Sequence, residues 1–387
     1  MDKFNQKILV TGGHLTPAIA VVTELKKRGY SNFVWIGHKY NQASTKTPSA
    51  EFNTVTNSSI PFYNLKTGKL IRDWSFSTFI YGIKNLFWIL LGFINSLRII
   101  LKERPRLILS FGGYLALPVV ITGKLLGARI VTHEQTIVTG LANKIISKFA
   151  NKVLISWESS FKYFNAAKTI FTGNPIRSEV FEVTNDNLVE NLNPDLPTLL
   201  IYGGNQGAHE INKRIFDILE DLLNDFNIIH QTGSSSVTKD NERAIHIKAS
   251  LTEEQKIRYV PVSYISSDQV GAVLDKADIV IGRAGANTIA ELLALGKLSI
   301  LIPIPQTSHD EQINNAKFVE KAGLALYLDQ NKLTPERLYQ SILLVRNQLN
   351  SKTALNNKNL SEVKKQAKEL VKLNAAELVA DQVESLL

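Results

Sequence analysis

The sequence predicts an α/β chain of two Rossmann-like domains, each built on a parallel sheet, and three observations predict it. Short apolar runs alternate with helix-length segments, the pattern of a doubly wound sheet. The runs form two similar series separated by a polar stretch, Asn185 to Pro197. The conspicuous turns all follow a strand, so they gather at one edge of their sheet. At 387 residues and 44% hydrophobic, the chain exceeds one ordinary core and suits two. Two such halves imply a cleft between them.

In order, the first series reads Ile8-Leu9-Val10, then 33–37, 107–113, 128–134 and 152–157. The second reads 198–204, 226–233, 245–248, 278–283 and 298–304. The expected domains are 1–175 and 176–360. A final helical stretch, 361–387, either closes the second domain or crosses back to the first. After the first strand come Thr11-Gly12-Gly13-His14, then a helix with Thr16 as N-cap and Pro17 at the first helical position. At the carboxyl edge of a parallel sheet, free N–H groups at a helix start favour anions. Gly12, Gly13 and His14 therefore stand where a ligand binds, although a bare turn needs the same glycines.

The chain has no cysteine, which excludes disulfides, thiolate metal sites and cysteine nucleophiles. Its start lacks an apolar signal core, which reads as cytoplasmic. The net charge of +9 is unevenly spread: residues 1–175 hold 22 Lys+Arg against 7 Asp+Glu. A basic half beside an acidic one points to one face meeting a polyanion, either nucleic acid or an anionic membrane. The stretch 79–101 favours the membrane. Its charge-free run, Asn85 to Leu97, is shorter than the roughly 18 to 20 residues of a bilayer span. Ile83, Leu86, Phe87, Leu90, Leu91, Ile94 and Leu97 follow helical spacing, while Tyr81, Trp88, Ile89 and Phe93 make the other faces apolar. Such a helix is either deeply buried or partly in lipid. Lys66, Lys69, Arg72, Lys84, Arg98 and Lys102 flank it with the charges of an interfacial segment.

Four polar constellations remain. YGGNQGAHEIN (202–212) places three glycines within five residues before a helix, which suits a diphosphate or a tight turn. In GRAGANTIAELLALGK (282–297), Thr288 and Glu291 have capping-box spacing. Arg283, at the end of a buried-looking strand, needs an anion or a carboxylate to offset its burial. His133-Glu134-Gln135-Thr136 reads as an acid/base couple or a satisfied loop network, and 308–312 forms a similar cluster. No Asp-x-Asp pair or histidine pair at ligand spacing occurs, so no metal or cofactor is expected. A diphosphate would then be neutralised by backbone dipoles and arginine.

TGGHLTPAIAV, SFGGYLALPVV, THEQT with Gly140 to Asn143, TGNPIR, YGGNQGAHEIN, HQTG, and GRAGANTIAELLALGK with PIPQTSHDEQINNAKFVEKAGLA occur together in this order. The set resembles the MurG family, which transfers N-acetylglucosamine from UDP-GlcNAc to a membrane-bound muramyl-pentapeptide lipid in peptidoglycan synthesis. The resemblance covers most of residues 5–330. It implies a GT-B fold, with an acceptor domain first, a donor domain second and a last helix returning to the first.

By the same resemblance, Arg283, Ala286, Asn287 and Thr288 face the donor diphosphate and Glu291 holds the ribose. Ile265 reads uracil through its backbone, Asn205, Gln206 and Gly207 cover the phosphates beside Arg177, and Glu311 and Gln312 contact the sugar. Thr11, Gly12, Gly13, His14, Tyr114, His133, Glu134, Gln135 and Thr136 line the acceptor side. An inverting transfer needs a base near the acceptor hydroxyl, and the His14 imidazole at the glycine turn is the first candidate, a role in positioning the acceptor being the alternative. Phe87, Trp88 and Leu91 dock on the anionic cytoplasmic face of the cell membrane, and no nucleic acid partner is expected.

Four departures stand out: a first turn lacking the family's extra glycines, Thr136 for Asn, Asn205 for Ser, and Ala116-Leu117 for Ser-Gly. Three lie on the acceptor side. The competing readings are a related transferase with another lipid acceptor, a UDP-GlcNAc epimerase, or an idle nucleotide-sugar or membrane-binding scaffold.

Overall fold

A computed structural model describes residues 3–40, 48–68, 79–183, 186–204, 207–307 and 310–387, and the side chains of these except 79–84. Asn205, Gln206, Ser308, His309, Lys69 and Arg72, and the side chains of Tyr81, Ile83 and Lys84, lie outside the described residues. The chain divides into two compact units, Met1–Arg177 with Lys372–Leu387, and Ser178–Val371.

The first unit runs β1 (Ile8–Gly12), α1 (Leu15–Lys27), β2 (Phe33–Gly37), α2 (Ala50–Asn57), β3 (Phe62–Asn64), α3 (Phe79–Glu103), β4 (Leu107–Phe111), α4 (Ala116–Leu125), β5 (Arg129–Glu134), α5 (Leu141–Phe149), β6 (Lys152–Ile155) and β7 (Thr169–Phe171). Its seven strands are all parallel, in the order β3-β2-β1-β4-β5-β6-β7. Strand periodicity feeds two cores: Ile8 and Val10 pack on the α1 side, and Leu9 packs with Val119, Val120 and Ile146 on the other.

The second unit runs β8 (Thr198–Tyr202), α6 (His209–Asp217), α7 (Leu219–Leu222), β9 (Asn227–Gln231), α8 (Asp240–Ser250), α9 (Glu253–Arg258), β10 (Tyr259–Val262), α10 (Val270–Lys276), β11 (Ile279–Gly282), α11 (Ala286–Leu295), β12 (Leu298–Leu301), α12 (Glu311–Lys321), β13 (Ala325–Tyr327), α13 (Pro335–Asn350) and α14 (Leu360–Glu369). Six parallel strands follow the order β10-β9-β8-β11-β12-β13. Strand order reverses between β1 and β4 in one sheet and between β8 and β11 in the other, which makes these the switch points where ligands bind.

Several expectations need correction. Residues 245–248 form no strand; they lie inside α8, where Asp240 and Glu242 occupy the first turn and only Asp240 and Ala244 are buried. The strand of that region is β10, an edge strand containing Pro261. Proline is tolerated there because an outer edge needs no N–H, yet it disguises the run as a loop. The cap of α1 is His14, not Thr16. The stretch from 361 is not one helix: α14 packs on α11 in the second unit, and α15 (Ala375–Glu384) packs on α1 in the first.

The return is built firmly. Val379, Ala380 and Val383 are buried in the core with Ile8, Val21 and Leu25. Arg28 donates to Glu24 at 2.7 Å, Asp381 at 2.6 Å and Glu384 at 3.0 Å. Gly173, at φ +79°, lets the chain pass, since a Cβ there would lie 2.6 Å from Cβ of Lys372.

α3 is the exception to inward burial. Gly92, Ser96 and Ile100 are buried at four-residue spacing and the helix packs on α4, so one face lies along the first unit. The other face exposes Leu86, Phe87, Leu90, Ile94, Leu97 and Leu101. Deep burial is therefore not its arrangement. By length and composition alone, Asn85–Glu103 is long and apolar enough to cross a membrane, unlike the shorter charge-free run read from the sequence.

Val379→Asp puts an unpaired charge into the first unit's core and is expected to lower unfolding stability by about 3 to 5 kcal/mol. Urea denaturation followed by circular dichroism measures it. A loss below about 1 kcal/mol would mean that α15 is not part of that core.

Candidate active site

At the first switch point the backbone is too close for side chains. Gly12 pairs with Phe111 across β1 and β4, and a Cβ on Gly12 would lie 2.6 Å from Cβ of Phe111. Gly13 donates its N–H to the Gly112 carbonyl at 3.1 Å, and Gly112 and Gly113 have φ of +75° and +82°. His14 follows, half-buried at the amino end of α1, with Nδ1 3.3 Å from the Phe111 carbonyl. A carbonyl only accepts, so that contact places the proton on Nδ1 and leaves Nε2 as the proton-accepting nitrogen. Thr11 is fully buried in the strand.

Tyr114 is half-buried, its hydroxyl 2.8 Å from His38 Nε2. The backbone N–H of His38 donates to Glu51 at 2.9 Å, and Trp35 Nε1 donates to the other Glu51 oxygen at 2.8 Å. Burial pushes up both the Tyr114 phenol and the Glu51 carboxyl. The sequence reading missed His38 and Glu51. The signal for His38 was FVWIGH, a strand running into Gly-His much as β1 runs into Gly-Gly-His, and Glu51 had none.

His133, Glu134, Gln135 and Thr136 are all buried, and their polar groups serve one another. His133 Nε2 lies 2.9 Å from the Gly173 carbonyl and its Nδ1 3.0 Å from Gln135 Nε2, which leaves neither nitrogen for a substrate. Burial pushes His133 down to about 4. Glu134 accepts from Thr136 N at 3.0 Å, Thr136 Oγ1 at 2.7 Å and Asn143 Nδ2 at 3.0 Å, and burial pushes its carboxyl up. The cluster is thus a largely paired network rather than an acid/base couple, with Gln135 Oε1 and Asn143 Oδ1 left buried without a partner. It supports the glycine turn from below, since a Cβ on Gly112 would lie 2.6 Å from Asn143 Nδ2.

The second switch point repeats the design. Gly282 pairs with Tyr202 across β11 and β8, and a Cβ on Gly282 would lie 2.5 Å from the Tyr202 carbonyl oxygen. Gly207 closes its turn onto the Gly204 carbonyl at 3.0 Å, and a Cβ there would overlap the Thr232 carbonyl. Arg283 is mostly buried and donates to the Ile302 carbonyl at 2.8 Å; among the described residues no carboxylate forms an ion pair with it. Burial lowers its guanidinium to about 10, so it keeps its charge at neutral pH.

Gly285 is the N-cap of α11, which places Ala286, Asn287 and Thr288 in the first turn. Thr288 is therefore not the cap, and the capping box with Glu291 does not form; Glu291 sits buried a turn further on. Asn315 on α12 donates to the Ala284 carbonyl at 2.9 Å and holds this turn, a role the sequence reading missed. Glu311 and Gln312 open α12 half-buried, with Gln312 accepting from Ile304 N at 3.1 Å. Ile265 is buried, and Arg177 is the last residue of the first unit. Among the described residues no three His, Asp or Glu side chains gather as a metal site.

Residues 11–155 match the glycosyltransferase family 28 N-terminal domain, and residues 198–384 match its C-terminal domain. A relative from Clostridium botulinum, named UDP-N-acetylglucosamine--N-acetylmuramyl-(pentapeptide) pyrophosphoryl-undecaprenol N-acetylglucosamine transferase, is 35% identical over 92% of this chain and 94% of its own. The crystal structure of Acinetobacter baumannii MurG superimposes with a TM-score of 0.67 at 25% identity, covering 98% of this chain and 99% of that one. The chain belongs to the MurG family. A Treponema denticola relative of the same name is 33% identical over 84% of this chain and 83% of its own. The likeness to a putative UDP-N-acetylglucosamine 2-epimerase of Listeria monocytogenes is of fold alone: 14% identity, TM-score 0.64, covering 98% and 96%. The GT-B expectation of two parallel α/β units is met, and the MurG family is one that builds this fold.

His133 is held neutral, so its contribution to stability is full above its ordinary 6.5 and is lost as pH falls toward about 4. That loss is expected to be on the order of 3 kcal/mol, and His133→Gln should remove it from the pH dependence of chemical denaturation. Identical pH profiles for the two proteins would contradict the buried neutral state.

Proposed function

We propose that this MurG-family chain transfers N-acetylglucosamine from UDP-GlcNAc to an undecaprenyl-pyrophosphoryl muramyl-pentapeptide, converting lipid I to lipid II with inversion at the sugar. The observation that carries the donor half is Arg283: a mostly buried cation in no ion pair among the described residues, two residues before the Gly285 cap of α11. A guanidinium beside a helix amino end is a diphosphate site. The acceptor half rests on the names of the relatives and on the Gly12–His14 turn.

In the reaction, the acceptor hydroxyl attacks the anomeric carbon while its proton passes to Nε2 of His14. The bond from that carbon to the β-phosphate oxygen breaks, and UDP leaves with its electron pair. Arg283 and the α11 amino end stabilise the charge that develops on the diphosphate. Gly207 faces the phosphates, Glu291 holds the ribose, Ile265 meets the base, and Glu311 and Gln312 meet the sugar. The buried 133–136 network positions the acceptor turn without touching substrate. The exposed apolar face of α3, including Phe87 and Trp88, docks on the anionic inner leaflet; Leu91 is half-buried and contributes less.

Radiolabelled UDP-GlcNAc incubated with lipid I should give a disaccharide lipid and UDP. Conversion of the donor sugar to its epimer without acceptor would support an epimerase, and UDP binding without turnover a scaffold; either overturns the proposal. His14→Ala should lower kcat by about a hundredfold or more while UDP-GlcNAc affinity holds. An unchanged kcat removes His14 from the mechanism. Replacing Phe87 and Trp88 by Ser should weaken sedimentation with phosphatidylglycerol vesicles by about tenfold or more. Equal binding by wild type and variant would leave α3 without a membrane role.

A further inference from the structure

Gln231, the last residue of β9, is buried with its amide spanning two separate segments. Its Nε2 donates to the Gly204 carbonyl at 2.8 Å, and its Oε1 accepts the Ile265 N–H at 3.1 Å. The Gly204 carbonyl is the same one that closes the glycine turn by accepting from Gly207. One arm of the amide therefore fixes the phosphate-side turn, and the other fixes the segment assigned to the nucleobase. Both distances are those of ordinary amide hydrogen bonds; the Ile265 bond is buried, and the Gly204 bond, at an exposed glycine, is part-buried.

We propose that Gln231 is a positioning residue that sets the spacing between the diphosphate turn and the base-reading segment of the donor site. This rests on the donor reading above. A rigid bridge of this kind makes both ends of a uridine diphosphate fit one preset distance. Discrimination by the second unit for the β-phosphate and for the base then depends on one side chain that touches neither.

The bridge is tested by affinity ratios, which do not depend on the fraction of protein correctly folded. Calorimetric affinities for UDP, UMP and CDP give UDP/UMP as the phosphate readout and UDP/CDP as the base readout. Gln231→Ala should reduce both ratios by about fivefold or more, through loss of both hydrogen bonds of the amide. Gln231→Glu keeps an acceptor for Ile265 but sets a carboxylate against the Gly204 carbonyl, so it should reduce UDP/UMP and keep UDP/CDP. Unchanged ratios in Gln231→Ala, or a change in only one, overturn the bridge. Wild-type protein that fails to bind UDP would instead overturn the donor reading.

Discussion

Each sheet brings its two central strands together at a position where only glycine fits. Gly12 faces Phe111 in one sheet and Gly282 faces Tyr202 in the other, each as the last register pair before the chain turns into a helix. A methyl group at either glycine would meet its partner at 2.6 or 2.5 Å, well inside contact distance. With no side chain in the way, the backbone N–H groups of the following turns crowd toward the carboxyl edge. Such an edge suits an anion through its dipoles, and His14 and Arg283 each stand beside the start of a helix, α1 and α11. The same geometrical device thus recurs at both switch points.

What supports the turns differs between the units. In the first, the buried 133–136 network and Asn143 lie beneath Gly112, with both His133 nitrogens and the Glu134 carboxylate engaged inside it. In the second, Asn315 holds the Ala284 carbonyl and Gln231 holds Gly204. Buried amides are costly to leave unpaired and therefore fix a unique arrangement when paired. α15 adds to this by completing the core under β1, so the acceptor-side turn depends on residues more than 360 positions away in the chain.

The sequence displayed most of this directly. Apolar runs of five or six residues and the glycine turns after them located the long central strands, because these are buried on both faces and read as continuous Val, Ile and Leu. Edges were harder: β3, β7 and β13 have three residues each, and β10 hides behind Pro261. The site was legible as a set of turns but not as a set of roles. His133 and Glu134 look reactive in one dimension, and their burial and hydrogen bonding into one network appear only in three. Conversely the supporting roles of Gln231, His38 and Asn315 were not legible, although all three lie in motifs the sequence displays, since a bridging role depends on which distant groups the side chain reaches.

The division of labour between the two glycine edges is tested most directly by calorimetric titration of UDP into Gly12→Ala and Gly282→Ala. Gly282→Ala is expected to weaken UDP by about tenfold or more, while Gly12→Ala keeps wild-type affinity within about twofold and loses transfer. Equal weakening by both substitutions, or by Gly12→Ala alone, would contradict the assignment of donor and acceptor to separate units.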